Sequence, residues 1–110
     1  MNEDIILVIG SNGQIGSVLA RELQKVHGYD NVIASDLYVD PCFSGIFEIL
    51  DATHIADIQS IVKQYSVTQI YHLAAILSAK GEEKPLSTWN LNIKMILNVF
   101  IIELFIVFPF

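Results

Sequence analysis

One short stretch, Gly10-Ser11-Asn12-Gly13-Gln14-Ile15-Gly16, constrains this chain more than any other. Five apolar residues precede it, Ile5-Ile6-Leu7-Val8-Ile9, and a run with helical spacing follows. A continuous apolar run of that length fits a parallel strand buried on both faces. A glycine-rich turn between such a strand and a helix admits a phosphate where side chains would block it. Gly10 can make the tight turn, Gly13 can let backbone approach a pyrophosphate, and Gly16 can let the helix pack close to the strand. The amides of Gln14 and Ile15 would then face the phosphates at the helix N-terminus. A second apolar run, Val32-Ile33-Ala34-Ser35, ends on Asp36, twenty residues beyond Gly16. That is where a dinucleotide-binding βαβ unit carries the acid that holds a ribose. Asp36 would accept hydrogen bonds from the adenine-ribose hydroxyls and repel a 2′-phosphate. No arginine follows it in Leu37-Tyr38-Val39, so NAD is favoured over NADP.

The remaining chain extends the same alternation. On the first helix, Ile15, Val18, Leu19, Leu23 and Val26 are predicted to form the buried stripe, with Arg21, Glu22, Gln24 and Lys25 on other faces. His27-Gly28 supplies a C-terminal cation and a left-handed cap. Residues 37–45 read as loop. Ile46 to Leu50 reads as a third strand ending on Asp51, and Thr53 as the cap of a helix with Ile55, Ile58, Ile61, Val62 and Tyr65 inward. Gln69 to Ala75 is a fourth strand, residues 78–84 a polar loop, and Pro85 stands in the first turn of a last helix through Trp89, Asn92 and Leu97. The expected fold is α/β, a truncated Rossmann-type, doubly wound parallel sheet of order 3-2-1-4 with flanking helices.

With 110 residues there is room for about four strands, fewer than the six of a complete doubly wound domain. Net charge of −6 argues against sequence-independent nucleic-acid binding, which needs a positive face. The single cysteine, Cys42, excludes an intramolecular disulfide and fits a reducing compartment. Met1 to Asp4 is short and acidic, so the expected location is cytoplasmic. His27, His54 and His72 show no metal-like spacing with one another or with Cys42, and His72 reads as a satisfied core histidine. Asp51 reads either as a contact to the adenine edge or as a charge at a helix N-terminus.

Together with Asp51-Ala52-Thr53 and His72-Leu73-Ala74-Ala75, the glycine loop makes the chain resemble the extended short-chain dehydrogenase/reductase superfamily, the NAD-dependent epimerases and dehydratases. Within it the likeness is greatest to the L-threonine 3-dehydrogenases, on Asn31 to Asp36, Ile70 to Ala79 and Trp89-Asn90-Leu91-Asn92. It covers about residues 4–99, which implies the N-terminal part of an NAD(P)-binding Rossmann domain over residues 1–99. The implied cofactor contacts are Gly10, Asn12, Gly13, Gln14, Ile15, Gly16, Asp36, Leu37, Asp51, Ala52, Leu73, Ala74 and Ala75. Ser78 matches a position near the substrate. Asn92 matches a helix asparagine that helps to organise the catalytic site, and Met95 stands where relatives usually have a glycine. The implied reaction takes L-threonine and NAD to 2-amino-3-ketobutyrate and NADH. The alternatives are a sugar-nucleotide epimerase or dehydratase fragment, and a non-catalytic NAD-binding or interaction module that pairs as a homodimer.

Two departures follow. Catalysis in that superfamily uses a Tyr-x-x-x-Lys pair, the lysine lowering the pKa of the tyrosine. Here the residues four beyond Tyr29, Tyr38, Tyr65 and Tyr71 are Ile33, Cys42, Gln69 and Ala75, so the fragment is expected to be inactive by itself. Residues 100–110 carry Glu103 as their only charge and read as a hydrophobic tail outside the likeness, too short for a membrane span and a doubtful core helix.

Overall fold

The computed structural model describes residues 3–74 and 85–107. The elements follow the alternation of apolar runs and helical spacing: β1 (Ile6–Ile9), α1 (Gln14–His27), β2 (Val32–Asp36), β3 (Ile46–Ile49), α2 (Ile55–Tyr65), β4 (Gln69–His72) and α3 (Pro85–Val107). A single 3-10 turn, Tyr29–Asn31, leads into β2. β4 ends at His72, so Leu73 and Ala74 are not strand as expected, while Ala75, Ser78 and the polar loop 78–84 lie outside the described residues.

The four strands form one parallel sheet in the order β3-β2-β1-β4, as the pattern implies. Ile6 pairs with Val32 on one side and Gln69 on the other, and Ile33 pairs with Ile46. β1 is central, and its four residues are at most 1 % exposed, which is why its sequence is apolar without alternation. Alternate residues feed two cores. Leu7, Ile9 and Ile33 join Leu50, Ile58, Ile61, Met95, Val99 and Ile102 under α2 and α3. Ile6, Val8 and Val32 join Ala20, Leu23 and Phe43 under α1.

The buried face of α1 differs from the predicted stripe. Ile15, Val18 and Val26 are exposed, whereas Gly16, Ala20 and Gln24 are buried. The spacing is helical, but the phase is set by small residues. A Cβ on Gly16 would overlap the Gly10 carbonyl oxygen, so the helix can approach β1 only with Gly16 and Ala20 against the sheet. Gln24, assigned from sequence to an outer face, is buried because its Nε2 donates to the Ser44 carbonyl at 2.7 Å, satisfying the amide. α2 matches its predicted stripe at Ile58 and Ile61, with Val62 and Tyr65 packed at the margin, while Ile55 is partly exposed.

The doubt about a core helix after Val99 is also resolved. α3 runs unbroken through Val107, Val99 and Ile102 are buried, and Ile106 packs against the same core. The doubted core helix therefore exists, and Val99 belongs to its inner face. The opposite face carries Trp89, Ile96, Phe100 and Leu104, all exposed. No helix among the described residues is long and apolar enough to cross a membrane.

The phase of α1 is open to test by urea unfolding. Ala20→Leu should cost about 1–3 kcal/mol through overpacking against β1. Val18→Ser on the outer face should stay within about 0.5 kcal/mol. The reverse ranking would mean that the helix docks on the predicted stripe.

Candidate dinucleotide site

All four strands run in the same direction, so the residues after their carboxyl ends gather at one edge of the sheet. The chain leaves β1 toward β2 and β3, then returns to place β4 on the other side of β1. The crevice at such a reversal is where open α/β sheets bind ligands. A groove of about 1050 Å³ lies there. The glycine turn, Asp36 to Tyr38, Leu50 to Thr53, Leu73 and Ala74, and Leu91 and Met95 of α3 line it.

The glycine turn is fixed from below. Ser35 is fully buried, and its carbonyl accepts the Gly10 and Ser11 N–H groups at 2.9 and 3.0 Å. The Ser35 hydroxyl donates to the Val8 carbonyl at 2.7 Å, so this polar residue is paired inside the sheet. Gly10 has φ +90°, and a Cβ there would meet the Ala74 nitrogen at 2.6 Å. Both facts require glycine. Gly13 is different. An added Cβ would find only the Gly10 carbonyl oxygen, at 3.6 Å, so nothing within the protein demands its absence, and the space beside it opens on the groove. Gly13 is the N-cap of α1, no side chain caps the helix, and no acid stands in its first turn. The first amides of the helix have no carbonyl one turn back. An anion is the natural partner for such an end.

Asp36 is half-buried at the tip of β2 and held from two directions. The Asn12 N–H donates to Oδ2 at 2.9 Å, and the Leu37 N–H donates to Oδ1 at 2.8 Å. Asn12 also donates Nδ2 to the Tyr38 carbonyl at 2.7 Å, tying the glycine turn to the loop after β2. Its Oδ1 is buried with no partner among the described residues. The far end of that loop is clasped to α1. Arg21 lies 3.7 Å from Asp40 and 5.7 Å from the Phe43 ring centre, and Gln24 holds Ser44.

Asp51 faces the groove from the turn after β3. Its Oδ1 accepts the Thr53 hydroxyl at 2.6 Å and the Thr53 N–H at 2.9 Å. The Thr53 hydroxyl, with help from the Thr53 amide, His54 and Lys94, holds the carboxyl below its ordinary pKa, against an opposing effect of partial burial. Contrary to the prediction, Thr53 therefore does not cap α2. The N-cap is His54, without a side-chain cap bond, because the Thr53 hydroxyl is spent on Asp51. None of the described residues lining the groove is basic. A bound pyrophosphate would depend on helix amides, and a 2′-phosphate would meet Asp36 with no counter-charge among the described lining residues.

Of the residues singled out in the sequence, Gly10, Asn12, Gly13, Gln14, Ile15, Gly16, Asp36, Leu37, Asp51, Ala52, Leu73 and Ala74 all line this groove. Ala75 and Ser78 lie outside the described residues. Asn92 is half-buried on α3 beside Leu91 and is not among the described lining residues. Ile9, Tyr38, Leu50, Thr53, Leu91 and Met95 also line the groove without having been expected there, Leu91 and Met95 through packing between distant segments. His72 is not the satisfied core histidine expected. Its Nδ1 is buried with no partner among the described residues, and burial pushes its pKa down. Among the described residues no group of three metal-ligating side chains is placed to hold a metal ion.

The Asp51–Thr53 pair gives a pH-dependent signature. A carboxyl whose folded pKa lies below its unfolded value adds stability above the unfolded value and loses it as pH falls through the folded one. In a carboxyl-detected NMR titration, Thr53→Val should move the Asp51 midpoint upward. An unchanged midpoint would mean that the hydroxyl does not set it.

A sequence model described as the NAD dependent epimerase/dehydratase family matches residues 6–102. An uncharacterized epimerase/dehydratase of Staphylococcus haemolyticus is 36 % identical over 97 residues, which are 84 % of this chain and 30 % of that protein. The solved L-threonine dehydrogenase of Clostridium difficile is 46 % identical with a TM-score of 0.80, over 89 % of this chain and 32 % of that one. A GalE-like L-threonine dehydrogenase from Cupriavidus necator, in holo form, is 44 % identical with a TM-score of 0.82, over 86 % and 31 %. The chain thus spans about 30 % of the length of that staphylococcal relative. With a 3-2-1-4 sheet and its glycine turn and acid at one groove, the chain belongs to the NAD dependent epimerase/dehydratase family.

Proposed function

We propose that this chain supplies the adenosine and pyrophosphate half of an NAD site, in an oxidoreductase of the L-threonine 3-dehydrogenase kind. One observation carries the reading: a single groove joins an uncapped helix N-terminus at Gly13 to the Asp36 carboxylate, already fixed by two backbone donors. The two ends suit the two chemistries of a dinucleotide, since bare amides favour a phosphate and a fixed carboxylate favours ribose hydroxyls. The identities of 44 and 46 % to L-threonine dehydrogenases support that substrate.

NAD, when bound, supplies the hydride acceptor. The roles of this chain's residues are confined to binding. The amides of Gln14 and Ile15 face the pyrophosphate, Asp36 takes the adenine ribose, and Asp51 borders the adenine. Leu73 and Ala74 at the end of β4 flank the route toward the nicotinamide. A general base is a different requirement. No tyrosine in the chain is followed by lysine four residues on, so proton removal from the L-threonine hydroxyl has no Tyr-x-x-x-Lys pair here.

Calorimetric titration of NAD into the purified chain tests the reading. Asp36→Ala should weaken binding about tenfold or more, the usual scale for removing a charged hydrogen-bonding partner. Equal affinity in both chains would remove Asp36 as the ribose ligand. Given L-threonine and NAD, the same 110-residue preparation should form no NADH above background, and measurable turnover would overturn the division between binding and chemistry.

A further inference from the structure

Asn98 stands on the inner face of α3, only 8 % exposed, among Met95, Val99 and Ile102. An amide in such apolar surroundings is unfavourable unless its polar atoms are paired. Its Nδ2 donates to the Ala52 carbonyl at 3.0 Å, and Ala52 is itself 3 % exposed. The bond joins residues 46 apart in sequence. Ala52 is the middle of the turn that presents Asp51 to the groove. Thr53 sets the internal shape of that turn through its two bonds to Asp51. Ala52 packs in the same core as Met95, Val99 and Ile102 of α3, and Asn98 adds a directional hydrogen bond from the turn to that helix, whose Leu91 and Met95 form another wall of the same groove.

We propose that Asn98 is a positioning residue for the adenosine end of the groove: by holding the Ala52 carbonyl it fixes the Asp51 turn against the α3 wall, and so sets affinity for the adenosine part of a dinucleotide. The proposal rests on the NAD reading of the groove. It differs from a packing role in one respect. A residue that only filled the core would change stability and leave the contribution of Asp51 to binding intact. A residue that places Asp51 makes the two contributions interdependent.

Asn98→Leu removes the donor at similar volume. Asn98→Ser is a second variant whose hydroxyl is too short to replace the amide, should the leucine chain fail to fold. NAD affinity would be measured for each, alone and combined with Asp51→Ala or Asp36→Ala. Leaving the buried carbonyl unpaired should weaken NAD binding about fivefold to tenfold. The Asp51→Ala penalty should then shrink to less than about twofold, while the Asp36→Ala penalty persists. An Asp51→Ala penalty of the same size in both backgrounds would overturn the proposal, as would equal blunting of both penalties, which indicates general loosening. Hydrogen exchange on the ligand-free chain reads the tie without NAD. The Thr53 and His54 amides should exchange about tenfold faster in either variant, with those of Gly10 and Ser11 unchanged. Uniform or absent acceleration also counts against it. Failure of the unmutated chain to bind NAD would sink the NAD reading and the affinity claim together, and the exchange result would still decide whether Asn98 holds the turn.

Discussion

The close approach of α1 to the end of β1 is the constraint on which the structure depends. It is possible only because Gly16 has no Cβ to strike the Gly10 carbonyl. That contact brings the N-terminus of α1 down onto the sheet edge and selects Gly16, Ala20 and Gln24 as the inner face. It also leaves Ile15 and Val18 outward. The buried Gln24 then reaches Ser44 and anchors the loop after β2. A side chain at position 16 would push the helix away and change the groove, the loop and the smaller core together. Packed interiors do not deform gradually to absorb such an intrusion.

Much of this was legible from residue order, for reasons that are physical. Parallel strands covered on both faces need continuous apolar runs, so β1 and β2 stood out, and with them the sheet order. The glycine turn and Asp36 could be paired because backbone geometry fixes the chain length between a first strand and the end of the second. The inner face of α1 was not legible in the same way. Counting apolar residues gives weight to Ile15, Val18 and Val26, whereas the close contact is made by the residues with the least side chain. Asn98 and Gln24 escaped for the opposite reason. Both are polar on inner faces, and the carbonyls that pair them, Ala52 and Ser44, come from remote segments.

The last helix shows the same limit. Its apolar residues run around most of its circumference, so periodicity could not tell whether the end of the chain was core or appendage. Contact decides it: Met95, Val99 and Ile102 point into the larger core, while Trp89, Ile96 and Phe100 stay outside. Glu103, the only charge after Lys94, borders a small cleft with Thr68 and Tyr71 rather than the core centre. A helix that is apolar on two sides is locally ambiguous, and the sheet beneath it chooses the side.

Asp36 carries a consequence of a different kind. Both of its oxygens are engaged by backbone N–H groups, of Asn12 in the glycine turn and of Leu37 next to it in the chain. Its rotamer is therefore settled when the chain folds, and a ligand arriving at the carboxylate does not have to order it. Immobilising a free side chain at a binding site costs about 0.5–1.5 kcal/mol, and here that ordering is charged to folding instead of association. The same arrangement makes the acid unforgiving. It cannot swing aside for a bulkier or more negative group without giving up two hydrogen bonds to the main chain. Discrimination at this position is then a property of the folded backbone as much as of the carboxylate itself.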